Sequence, residues 1–182
     1  MSQCTVSFAD SFTDGVGGNS PVNRSRFANT AYDRLRILEK YRRIAMVGLS
    51  SNPFRPSHFA AIYLISEGYD VIPVNPRESE VLGRKCYPSL SVVPGPVEVV
   101  DIFREPAAAP AIVDEAIRIG AKVIWMQLGV IHEEAAERAR AAGLEVVMDR
   151  CMKIEHARFF GGLNTIGMNT AVITAKRRTR AG

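Results

Sequence analysis

Residues 42–59 read RRIAMVGLSSNPFRPSHF, an apolar run from Ile44 to Val47 that enters the turn Gly48-Leu49-Ser50-Ser51-Asn52-Pro53 and leaves it as a helix. Ser57 is an N-cap candidate for that helix, because a serine hydroxyl accepts a bond from an amide that a helix start leaves unpaired. Strand, turn and helix in this order make the first βα unit of a nucleotide-binding sheet. The free amides of such a turn and the positive end of the helix dipole both favour negative charge, so the unit predicts a ligand that carries phosphate.

The turn also narrows the ligand. A dinucleotide fingerprint needs GxGxxG and an acidic residue about 20 positions on, which binds the ribose hydroxyls. Ser50 stands at the second glycine position and Pro53 at the third, and the second strand, Tyr69 to Val74, ends in Asn75-Pro76-Arg77 with no carboxylate at its tip. A cation there suits a phosphorylated ribose better than a free diol. Ordinary NAD binding is disfavoured, while NADP and coenzyme A, each with an extra phosphate on the adenosine ribose, stay open.

The chain has 182 residues, 47% hydrophobic and 23% charged, which is room for one ordinary domain with a core that needs neither disulfide nor metal. It contains no run of about 18 apolar residues and no charged start followed by an apolar signal core, so the expectation is a cytoplasmic protein without a membrane span. The net charge of +4 resides in the end of the chain: without Lys176, Arg177, Arg178 and Arg180 the 23 basic residues become 19, equal to the 19 acids. Such a tail reads as a solvated terminus, and nucleic acid is not an expected partner. Cys4, Cys86 and Cys151 have no CxxC spacing and read as reduced thiols, neither a disulfide framework nor a metal site.

Three segments follow. Residues 1–28, rich in Gly, Ser, Asn and Asp, read as a flexible arm, residues 29–175 as the domain and residues 176–182 as a basic tail. Within the domain a short helix from Ala31 to Tyr41 leads into the first strand. Arg77 to Pro96 is too long for a structureless loop in a compact domain, and Tyr87-Pro88-Ser89-Leu90 is a candidate helical turn. Further apolar strands are expected at Val97 to Phe103, Lys122 to Gln127 and Leu144 to Met148, with helices ending at Gly120 and Gly143 between them. Near-continuous apolar strands alternating with helices predict an α/β fold, a Rossmann-like parallel sheet of about five strands covered on both faces, in the order 3-2-1-4-5. Ligands of such sheets lie outside the C-terminal strand ends, which are residues 48–52, 75–77, 103–104 and 127–129.

These strand ends carry a family resemblance. The strings VGLSSNPFRPS, VIPVNPRESEVLGRKCYPSL, VEVVDIFREP, VIWMQLGV, DRCMKIEH and the GLNT segment, spread over residues 41–176, resemble the stand-alone CoA-binding-domain family, whose members are similar to the N-terminal CoA-binding domain of the succinyl-CoA synthetase alpha subunit. The resemblance implies coenzyme A as ligand and a small Rossmann-like domain. It implies a phosphate-contacting turn of Gly48, Leu49, Ser50, Ser51 and Asn52 with charge added by Arg55. Asn75 and Pro76 would lie beside the adenosine, with Arg77 near the position where the synthetases use a lysine. Phe103 and Arg104, then Gln127, Leu128 and Gly129, would line the nucleotide cleft. The synthetases carry a phosphorylated catalytic histidine in a second domain, for which this chain has no counterpart.

The residues themselves name no acid, base or nucleophile. His58, His132 and His156 have no carboxylate or serine at a catalytic spacing; His58 reads as a ligand contact or a cap, the other two as structural. Cys151 reads as a buried small residue, with a thiol beside the CoA thiol as the sharper alternative. Trp125 and Met126 read as core. The expectation is a protein that binds CoA or acyl-CoA and has no self-sufficient catalytic apparatus. The alternatives are an NADP-dependent oxidoreductase using the same cleft and a regulatory subunit; a protein partner or a homo-oligomer stays open.

Overall fold

The computed structural model describes residues 30–161. The proposed arm, the basic tail and the GLNT segment lie outside these residues. Helix α1, Ala31–Lys40, starts in a capping box in which the Thr30 hydroxyl accepts the Asp33 amide and the Asp33 carboxylate accepts the Thr30 amide. Then come β1, Arg43–Val47, α2, Pro56–Ser66, and β2, Asp70–Val74. A hairpin of β3, Glu80–Val81, and β4, Arg84–Lys85, fills the long connection, followed by a 3-10 turn at Leu90–Val92. The rest alternates: β5, Val99–Ile102, α3, Ala109–Arg118, β6, Val123–Met126, α4, Glu133–Ala141, β7, Glu145–Val147, and α5, Met152–Phe160.

The five-stranded sheet is parallel throughout and runs β2-β1-β5-β6-β7. Side chains alternate between its faces. Ile44, Met46, Val99, Val123, Trp125 and Val147 pack with Ile37 and Leu38 of α1, Ala61 and Leu64 of α2 and Met152 of α5. Ala45, Val100, Ile102, Ile124, Met126 and Val146 pack with Val113 and Ala116 of α3 and Ala135 and Ala139 of α4. Helices on both faces bury the central strands, which is why these read as nearly continuous apolar runs, with Asp101 of β5 as a buried exception. Trp125 and Met126 are fully buried, as expected.

The strand order corrects the expected 3-2-1-4-5. Counted along the chain the five sheet strands run 2-1-3-4-5, because the third, β5, pairs with β1 rather than adding outside β2. The outer edge of β2 is already used: Tyr87 forms a parallel bridge to Val74, donating its amide to the Pro73 carbonyl, while its own carbonyl accepts the Asn75 amide. Amide and carbonyl of one strand residue point the same way, so the N–H that Pro73 lacks would also have faced outward. A proline in that register belongs on an edge strand, and it bars a full ladder there.

Two local expectations also change. Ser57 is not the cap of α2: Arg55 is the N-cap residue, Pro56 takes the first helical position, and the Ser57 hydroxyl accepts the Ser50 amide at 3.3 Å. The hairpin was not foreseen because its two-residue turn is Leu82-Gly83, with φ of +54° and +69°. A turn of this type needs positive φ at both positions and is signalled by Asn-Gly or Asp-Gly, not by leucine.

Gly48 closes β1 against β5. Its φ is +90°, and a Cβ there would stand 2.6 Å from the Phe103 carbonyl oxygen. A left-handed L residue costs about 1–2 kcal/mol before any clash is counted. Gly48→Ala is therefore expected to lower stability by about 2 kcal/mol or more, read as a lower urea midpoint with an unchanged slope.

Candidate functional site

A cleft of ≈ 920 Å³ opens over the C-terminal ends of the strands, centred where β1 and β5 lie side by side. The crossover from β1 leaves through α2 toward one face and that from β5 through α3 toward the other, so the chain parts at this point and leaves a crevice. Gly48, Ser50, Arg55, Pro56, Ser57, Phe59 and Ala60 form the wall built by the first turn and α2, with Arg77 beyond them. Phe103, Arg104 and Glu105 come from the end of β5, Gln127, Leu128 and Val130 from the end of β6. Cys151, Lys153 and Ile154, at the start of α5, close the far side.

Eight of the residues expected from the sequence line this cleft: Gly48, Ser50, Arg55, Arg77, Phe103, Arg104, Gln127 and Leu128. The other six do not line it. Leu49 is fully buried in the core, and Pro76 is exposed. Asn75 ties two strand ends together, its Nδ2 donating to the Leu49 carbonyl at 2.9 Å while its Oδ1 accepts the Arg77 amide. Ser51 gives both its amide and its hydroxyl to the Glu78 carboxylate, at 3.1 and 2.8 Å. The Asn52 amide donates to the Ser50 hydroxyl, and its Oδ1 accepts the Phe54 amide. The Gly129 amide donates to Asp149.

The turn is thus wired internally. The Ser50 amide donates to Ser57 and the Ser50 carbonyl accepts from His58 Nδ1 at 2.9 Å, which gives His58 a role in holding the turn. Of the first amides of α2, Pro56 has none and the His58 amide donates to the Arg55 carbonyl, which leaves that of Ser57. Negative charge in the cleft therefore falls mainly to side chains. The side chains of Arg55, Arg77 and Lys153 have no hydrogen bond or ion pair to a described residue, and the Arg104 guanidinium has only Glu105 at 3.8 Å, an exposed pair that contributes little. Four cations against one carboxylate give the cleft a positive potential, focused by its concave walls.

The wall formed by α5 was missed in the sequence reading. MKIEHARFF alternates polar and apolar residues too weakly to announce a helix, although Met152, Glu155 and His156, spaced one helical turn apart, are all buried. His156 is structural, 3.0 Å from the Tyr63 hydroxyl and packed on the Phe160 ring. His132 caps α4. Burial pushes the Cys151 thiol above its ordinary pKa, with Asp101 adding to the effect, so it stays protonated and is no activated nucleophile.

Asp101 is a buried carboxyl within β5, the one polar residue of that strand. Its solvent exposure is 0%, and Gln127 Nε2 donates to its Oδ1 at 2.7 Å, while Oδ2 has no partner among the described residues. Burial raises its pKa from 3.8 to about 7, against the lowering effect of Gln127. No helix among the described residues is long and apolar enough to cross a membrane, and no group of three or more metal-ligating side chains occurs among them.

A family model described as CoA binding domain matches residues 42–157. Uncharacterized protein YneT of Bacillus subtilis is 40% identical over 121 residues, 66% of this chain and 90% of that protein. A solved structure of a hypothetical protein from Pyrococcus horikoshii OT3 has 47% identity and a TM-score of 0.71, covering 72% of this chain and 93% of its own. Acetate–CoA ligase (ADP-forming) II of Archaeoglobus fulgidus is 29% identical over 147 residues, 78% of this chain but 22% of the ligase.

The buried carboxyl makes a pH prediction. A folded-state pKa above the unfolded one means that the native state holds the proton longer, so the stabilisation is complete below about pH 4 and is lost as pH rises through about 7. That shift corresponds to a loss on the order of 4 kcal/mol. Asp101→Asn removes the titration. The stability of wild type minus that of Asp101→Asn, measured by urea unfolding from pH 5 to 8, is expected to fall up to about pH 7 and then level off; a flat difference throughout would contradict it.

Proposed function

The chain belongs to the CoA-binding domain family, and we propose that it binds coenzyme A or an acyl-CoA across the ends of β1, β2, β5 and β6, without performing a reaction of its own. The observation that carries this reading is the set of four cations facing one cleft with a single carboxylate among them. Like charges gathered around one concave wall repel one another and raise a positive potential that a counter-charge relieves. Coenzyme A brings a pyrophosphate and a ribose phosphate, counter-charges for Arg55, Arg77 and Arg104.

In this arrangement the pyrophosphate lies over Gly48 and Ser50, met by the Ser57 amide and the guanidinium groups of Arg55 and Arg104. The ribose phosphate reaches Arg77 at the tip of β2. Asn75, Ser51 and Asn52 hold the turn in shape and touch the ligand only through it, and Phe103, Gln127 and Leu128 line the path of the pantetheine arm. The A. fulgidus ligase, by its name, joins acetate to CoA; here binding alone is proposed, since no residue of the cleft stands ready as acid, base or nucleophile.

Calorimetric titration with CoA, acetyl-CoA, NAD and NADP tests the assignment. A CoA species is expected to bind most tightly, and tighter binding of either nicotinamide cofactor overturns the reading. Arg77 supplies a second test. Hydrogen bonds to charged groups contribute about 1.5–3 kcal/mol, so Arg77→Ala is expected to weaken CoA roughly ten- to a hundredfold while hardly changing dephospho-CoA, which lacks the ribose phosphate. Equal weakening of both ligands would refute the role given to Arg77 and turn attention to Arg55.

A further inference from the structure

The cleft extends unequally on the two sides of the Gly48 turn. On one side only β2 remains, one strand spacing away, and Arg77 marks its end. On the other the sheet continues through β5 and β6 to β7, from which the chain enters α5 at Cys151. Strands lie about 5 Å apart, so the short side is about 5 Å and the long side about 14 Å. Coenzyme A is unequal in the same sense: its ribose phosphate branches close to the pyrophosphate, whereas the pantetheine arm is long. With the pyrophosphate at Gly48, the short side takes the ribose phosphate and the long side takes the arm, whose sulfur then lies toward α5.

The pantetheine arm carries no charge, and much of the long side suits it: Leu128, Val130 and Ile154 are apolar and the Cys151 thiol is neutral. Lys153 does not fit that pattern. It lines the same wall and is half-buried, and its side-chain ammonium has neither hydrogen bond nor ion pair with a described residue. Helix stability does not account for it, since it occupies the second position of α5, where the helix dipole favours an acid and disfavours an ammonium. The phosphates do not account for it either, because Arg55, Arg77 and Arg104 stand nearer to where those groups lie. A cation at the thioester end of the cleft calls for a negative charge beyond the sulfur.

We infer that the bound species is an acyl-CoA whose acyl group ends in a carboxylate, and that Lys153 pairs with this carboxylate at the start of α5. The inference rests on the CoA reading above and adds the class of acyl group to it. The positive end of the α5 dipole reinforces the ammonium, so both favour the same anion. Lys153 acts as a specificity residue: it distinguishes a carboxylate-tipped acyl chain from an uncharged one of equal length.

The test is titration of the full chain, wild type and Lys153→Met, with CoA, dephospho-CoA, butyryl-CoA and succinyl-CoA, the last two having acyl chains of four carbons. Wild type is expected to bind succinyl-CoA about tenfold more tightly than butyryl-CoA, and in Lys153→Met the ratio is expected to fall to about one. Equal affinities in wild type, or a ratio that survives the substitution, overturn the role of Lys153 and leave the CoA reading standing. If Lys153→Met weakens CoA but not dephospho-CoA, the ligand lies the other way round and Lys153 reads the ribose phosphate, which also overturns it. If no CoA species binds a protein with a native circular dichroism spectrum, the CoA reading fails and the inference with it.

Discussion

The absence of a side chain at residue 48 is the constraint on which the site depends. The end of β1 can sit on the carbonyl of Phe103 at the end of β5 only because Gly48 has no Cβ. That contact brings together the two strands whose crossovers leave in opposite directions, and the crevice between α2 and the β5 end follows from it. It also sets Arg104, whose Cδ would lie 2.9 Å from a Cβ on residue 48. Gly48 thus serves strand packing and the placement of a cation.

The wiring of the turn follows the same logic. In a glycine-rich phosphate loop the amides point outward and wait for the anion. Here Ser50, Ser51 and Asn52 donate inward, to Ser57, Glu78 and Ser50 in turn, and in the binding mode proposed above recognition of charge passes to the arginine and lysine side chains around the rim. Guanidinium groups reach further than amides and suit a ligand whose charges are spread over several groups. They also keep their charge at every relevant pH, so anion binding is not tied to a titration of the turn.

The sequence was most legible where a single constraint acts. Strands buried on both faces must be apolar throughout, so Ile44 to Val47 and Val123 to Met126 announced themselves, and their C-terminal ends pointed to the cleft. Strand order was not legible from the apolar pattern, because apolar strands carry no mark of their neighbours; Pro73, which restricts β2 to an edge, was the one available signal. The Leu82-Gly83 turn hid the hairpin by using a residue that the turn type disfavours. The far wall was missed for another reason. Cys151, Lys153 and Ile154 reach the cleft through a short helix whose pattern is weak, and their place beside Gln127 depends on how α5 folds back over the sheet rather than on any local motif.

Pro73 has one more effect, on how the molecule meets its neighbours. A parallel sheet ends in two strands, and an exposed strand edge is a template on which another chain can add its own. At β2 the missing amide and the Tyr87 bridge interrupt that template. At the other edge β7 is only three residues long. The sheet therefore offers little footing for strand addition, and in a crowded cell, where apolar strands of this kind are a hazard whenever they are uncovered, a short edge and a blocked edge act as protection against edge-to-edge aggregation.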